Sequence, residues 1–131
     1  MRFTTELFAH FVYSQELSYE ELLIAEEQLQ VAVTEILTTH KAQFVNFEAF
    51  GDTLRVQCSF SCYAETFFHE IADAVSDVIN KNVEARLLFV DKFLDAMALY
   101  CIANGKWHEA VLHIPTAGPI GAELRKLASI K

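Results

Sequence analysis

Glu65, His69, Asp73 and Asp77 recur at intervals of four, the spacing that aligns side chains along one ridge of an α-helix. A carboxylate, an imidazole and two more carboxylates in such a row could chelate a divalent cation between neighbours. A closed site needs a third or fourth donor from another element. Spacing alone names none, so the expectation is a hydrated row, with no metal and no cofactor.

Nucleophilic chemistry finds little footing. Cys58, Cys62 and Cys101 form an odd set without a C-x-x-C motif, and Cys58 and Cys62 fall at alternate positions of an apolar strand pattern. There they read as small buried groups, reduced and inert. His108 and His113 are five apart on one extended segment, so they point to opposite faces and make no pair. Gly118-Pro119-Ile120-Gly121 is no phosphate cradle, because Pro119 removes an amide donor and no P-loop lysine follows. Paired carboxylates are too common on an acidic surface to mark an acid/base couple. No catalytic residue emerges, and the reading leans away from an enzyme.

Charge layout is more informative. The chain carries 18 acidic against 10 basic residues, a net charge of −8. That balance disfavours nucleic acid and anionic membrane as direct partners, since both attract Lys and Arg. Nine of the acids lie in two stretches without one base: Glu20, Glu21, Glu26, Glu27 and Glu35, then Glu65, Glu70, Asp73 and Asp77. A helix that is only solvated usually mixes signs, because opposite charges four apart each contribute about 0.2–0.5 kcal/mol. Two such helices side by side would merge into one negative face. The expected use is docking of a basic protein surface through Glu20, Ile24, Glu27, Val31, Glu35, Glu65, His69, Asp73 and Asp77, as in a non-enzymatic inhibitor or nucleic-acid mimic. The bland alternative is solubility.

These residues must be held by a core. The chain is 131 residues long, 53% hydrophobic, with eleven Phe, four Tyr and one Trp, enough for a single domain over 1–131 without metal or disulfide staples. No membrane-length apolar run and no signal-peptide pattern appear, so a cytoplasmic location is expected.

Alternation predicts a strand over Phe3–Tyr13, with Leu7, Ala9, Phe11 and Tyr13 on one face and Phe8 and His10 on the other. Ser18-Tyr19-Glu20-Glu21 forms a capping box for a helix over Tyr19–Thr39, whose stripe is Leu22, Ala25, Leu29, Ala32, Val33 and Ile36. Strands at Phe44–Phe50 and Thr53–Cys62 flank Gly51-Asp52, a two-residue turn with Gly first. A second helix runs over Ala64–Asn80 with Phe67, Phe68, Ile71, Val75, Val78 and Ile79 inward. Strands follow at Val83–Val90, Leu94–Ala103 and Lys106–Ile114, the last two joined by Asn104-Gly105. Phe93–Ile102 would also suit a helix, but the turn gives Lys106–Ile114 a strand partner. A loop over Pro115–Gly121 and a short helix carrying Ile120, Leu124 and Leu127 close the chain.

The predicted fold is α+β, a ferredoxin-like two-layer sandwich (βαββαβ) with an added C-terminal β-hairpin and short tail helix. Such a fold licenses no activity by itself. The third strand offers Thr53, Arg55, Gln57 and Ser59 to the open face, which is no stacking platform for RNA. The partly apolar second faces of the strands suggest surface buried by something else. That supports an alternative, a regulatory domain that forms a homodimer through its sheet and binds a small ligand between protomers, with an enzyme as the third reading.

Overall fold

The computed structural model describes residues 3–94 and 96–113. Eight elements follow in chain order: β1 (Thr5–Tyr13), α1 (Tyr19–Thr39), β2 (Gln43–Ala49), β3 (Thr53–Phe60), α2 (Glu65–Val78), β4 (Val83–Asp91), β5 (Ala96–Ala103) and β6 (Lys106–His113). All six strands join one antiparallel sheet in the order β2-β3-β1-β4-β5-β6. The expected Pro115–Gly121 loop and tail helix lie outside the described residues. Among the described residues no helix is long and apolar enough to cross a membrane.

Period-two burial sets the layers. Leu7, Ala9, Phe11 and Tyr13 of β1 are buried together with Leu54, Val56, Cys58 and Phe60 of β3 and Ala85, Leu87 and Phe89 of β4. Both helices pack on that face: Leu29, Val33, Ile36 and Leu37 of α1 and Phe68, Ile71, Ala72 and Val75 of α2 belong to the same core. Phe68 stacks on Phe89 with ring centroids 4.1 Å apart, and Tyr100 meets Phe89 edge-on at 5.7 Å. No described element covers the other face of the sheet.

Local signals account for the boundaries. The amide of Glu21 donates to Ser18 Oγ at 3.2 Å and the amide of Ser18 donates to Glu21 Oε1 at 3.0 Å, closing the capping box. The Ser18 amide first, and the Ser18 side chain after it, hold the Glu21 carboxyl below the ordinary range. Gly51 has φ +76°, whereas Asp52 stays at ordinary φ, as a two-residue turn with glycine first requires. Asn104 and Gly105 both adopt positive φ, 54° and 73°, the signature of a type I′ hairpin. The strand reading of Phe93–Ile102 is right for its greater part: β5 begins at Ala96, and Leu94 at φ 59° belongs to the turn after β4.

Three expectations need correction. Cys62 is exposed, because β3 stops at Phe60 and Ser61-Cys62-Tyr63 leads into α2. Val78 faces solvent, since α2 ends there and an extended Ile79 takes the buried position. The edge strand β2 is not a plain ladder: its register against β3 shifts between Gln43 and Asn46, and Phe44 sits at φ 56°. That is a bulge on the outermost strand. It leaves Phe44 74% exposed.

Candidate functional site

The helical acids divide into two groups. Glu20, Ile24, Glu27, Val31 and Glu35 of α1 are all exposed, Ile24 and Val31 at 57% and 58%. Ile24, Glu27, Val31 and Glu35 border a shallow depression of about 500 Å³. The α2 ridge behaves differently, because the added hairpin packs beside it. His69 Nε2 lies 2.9 Å from Glu109 Oε2 on β6 and 3.6 Å from Glu65 Oε1. The buried Tyr100 hydroxyl donates to the other oxygen of Glu109 at 2.8 Å, and the Trp107 indole N–H donates to Asp73 Oδ1 at 2.8 Å. The His69 ring lies against Trp107, with centroids 4.8 Å apart. Asp77 remains on the exposed side.

Glu109 is the donor from another element that spacing could not name. One atom from each of Glu65, His69 and Glu109 lies within 4.8 Å of the other two. His69 Nε2 and Glu109 already meet at hydrogen-bond distance, so the group acts as a clamp joining α2 to β6. Glu109→Ala leaves the Tyr100 hydroxyl without its acceptor. The expected loss is about 1–3 kcal/mol of unfolding free energy, read from urea unfolding at pH 7; an unchanged midpoint would show that the clamp holds nothing.

The uncovered sheet face carries a second cluster, set by register. Residues paired across neighbouring strands project to the same side. Arg55 of β3 pairs with His10 of β1, His10 with Arg86 of β4, Arg86 with Cys101 of β5, and Cys101 with His108 of β6. Glu48 on β2 closes the row beside Arg55. One row along lie Gln57, Phe8, Leu88, Leu99 and Ala110, with Phe8 40% exposed near the middle of the sheet. On the other side, Val12 pairs with Thr53 and Glu84, while Lys106 pairs with Ala103. A groove of about 570 Å³ is lined by His10, Glu84, Arg86, Cys101, Lys106 and His108, among others. A smaller one of about 270 Å³, bordered by Phe8, Glu48, Arg55 and Gln57, meets it at His10.

Within an acidic chain this face is balanced in charge, with Arg55, Arg86 and Lys106 set against Glu6, Glu48 and Glu84. Arg55, Arg86 and Lys106 are three of the six Lys and Arg among the described residues. Among those residues every close pairing of a basic group with a carboxylate involves His40 or His69, and none involves Lys or Arg. Arg86 Nη1 reaches the Cys101 sulfur at 3.6 Å, and the Arg55 guanidinium lies 4.6 Å over the Phe50 ring. These are soft contacts that leave most guanidinium donors free. Sequence reasoning placed Arg55 and His10 on this face but missed Arg86, Cys101 and Lys106, and gave His108 no partner. The Asn104-Gly105 turn held the missing signal, since a two-residue hairpin fixes Cys101 opposite His108 and Tyr100 opposite Glu109.

Comparison with known proteins adds little. No protein-family model matches the chain, and no curated protein matches it. Solved structures similar to it include the crystal structure of the adenylyl cyclase CyaB from P. aeruginosa, at 12% identity and a TM-score of 0.41. The match covers 98% of this chain and 74% of that one. So low a score carries no activity across.

The expected role as a non-enzymatic inhibitor docking a basic partner is corrected here. The continuous acidic face that role required is broken, because Asp73 and His69 are engaged by Trp107 and Glu109 of the hairpin.

Proposed function

We propose that this chain is a small-ligand-binding domain whose working surface is the uncovered face of its sheet. The observation that carries the reading is the groove of about 570 Å³ on that face, beside the apolar row of Phe8, Leu88 and Leu99. Its volume is in the range of small-molecule sites, roughly 300–1,000 Å³. It also combines apolar walls with a few polar groups drawn from separate strands, as such sites do.

The same reading assigns the first six elements to a ferredoxin-like sandwich. Support comes from the strand order β2-β3-β1-β4 with both helices on one face. In that arrangement β5 and β6 widen the sheet and supply one wall of the groove. A broad face flanked by regular strands positions side chains more firmly than loops would.

Chemical-shift mapping with a set of small neutral and charged fragments tests the proposal. Perturbed amides should cluster on β1, β4, β5 and β6 around His10, Arg86 and Cys101. Hits confined to the outer faces of α1 and α2, or scattered without a focus, would overturn it.

A further inference from the structure

We infer that the groove on the uncovered sheet face is a site for a phosphorylated small organic molecule, with the phosphate held by Arg86, Lys106, His10 and His108. The inference rests on the reading of that face as the working surface and adds the chemical class of the ligand.

Charge is the first argument. The chain has a net charge of −8, yet one groove gathers two cations, Arg86 and Lys106, and the imidazoles of His10 and His108 from β1, β4 and β6 against a single lining carboxylate, Glu84. Like charges gathered in one concave place repel one another and raise the potential there. Such a gathering is relieved by an anion. The second argument is the lack of internal partners. Among the described residues neither Arg86 nor Lys106 meets a carboxylate within ion-pair distance, in a chain rich in acids. Arg86 rests on the Cys101 sulfur at 3.6 Å, a weak acceptor that it can leave at little cost.

Donor number favours phosphate over carboxylate. A guanidinium fork, an ammonium and two imidazoles present more N–H groups than the two oxygens of a carboxylate can use. A phosphomonoester brings three strong acceptor oxygens and a charge near −1.5 to −2 at neutral pH. Size and surroundings then favour a small molecule over a polyanion. Glu6, Glu48 and Glu84 lie on the same face, so an extended phosphate backbone would meet repulsion on both sides of the basic row. The apolar body of the ligand has a place beside the phosphate: Val12, 44% exposed, and Ala103 also line the groove, and the Phe8–Leu88–Leu99 row lies next to it.

Phenyl phosphate, inorganic phosphate and benzoate serve as probes, titrated into the full chain by calorimetry with amide shifts recorded in parallel. Phenyl phosphate should bind more tightly than inorganic phosphate, and far more tightly than benzoate. Its affinity should fall as salt rises. Arg86→Ala should weaken it at least tenfold and Glu84→Gln should strengthen it, while Lys41→Ala, away from the groove, should leave it unchanged. Circular dichroism confirms that each variant folds. Equal affinity in wild type and Arg86→Ala, or preference for benzoate, would overturn the phosphate assignment. Neutral fragments perturbing the groove while all three anions fail would overturn this inference alone and leave the broader ligand-binding reading standing.

Discussion

Phe89→Ala lowers the unfolding free energy by about 3–5 kcal/mol, the usual cost of deleting a buried aromatic ring. Phe89 is fully buried in β4 and makes three aromatic contacts: stacked on Phe68 of α2, tilted against Phe60 of β3 and edge-on to Tyr100 of β5. It therefore binds the second helix to three strands at once. Such aromatic pairs add about 0.5–1.5 kcal/mol each beyond area burial, and the helix-to-sheet contact cannot close over the vacated space without moving α2. Since a domain of this size is stable by only about 5–15 kcal/mol, the variant should be at or near the limit of folding. Urea midpoints of wild type, Phe89→Leu and Phe89→Ala should fall in that order. A loss under about 1 kcal/mol for Phe89→Ala would contradict the placement of this ring at the centre of the core.

Alkaline pH should unfold the protein. Three buried groups hold their protons harder in the folded chain than in the unfolded one. Burial pushes the Cys58 thiol up to about 12 from its ordinary 9.0. Tyr13 is raised by burial and then by the nearby charge of Glu26, and Tyr100 by burial and then by its bond to Glu109. The sign follows directly: above pH 9 to 10 the unfolded chain releases these protons while the folded chain keeps them. The folded state then binds more protons than the unfolded state, and stability falls as pH rises. Each group contributes at most about 1.4 kcal/mol per pH unit beyond its unfolded value, and the three act in the same direction. Tyr13→Phe should flatten the decline at little cost near neutrality, because the Tyr13 hydroxyl is buried with no hydrogen-bond partner among the described residues. Urea unfolding at pH 8 and pH 11 for both proteins checks this. Equal stability at the two pH values would remove the argument.

Local chemistry made most of the architecture legible. Ser18 and Glu21 announced the start of α1 three residues apart, and Gly51-Asp52 and Asn104-Gly105 announced two hairpins by the φ values they demand. Both signals act within a few residues, so no tertiary information was needed. Val78 and Cys62 were misplaced for the converse reason. Each continues a periodic pattern past the point where its element ends, and only packing determines that end. The basic row failed to show itself because it is made of single residues from β1, β3, β4, β5 and β6, and the registers of β1 against β3 and β4 follow from no short turn. The acids of α2 were visible from the start. Their partners, Trp107 and Glu109, came from a hairpin whose position over that helix nothing local specifies.

The bulge at Phe44 bears on how the molecule behaves in a crowd of its own copies. A straight outer strand presents evenly spaced amides and carbonyls on which another chain can crystallise strand by strand. In β2 the left-handed turn at Phe44 and the register shift between Gln43 and Asn46 put those groups out of phase. A second chain that began to add here would find matching partners for only a few residues. The exposed Phe44 and Val45 side chains invite contact, but the backbone beneath them refuses to extend it, so growth strand by strand stalls at this edge of the sheet.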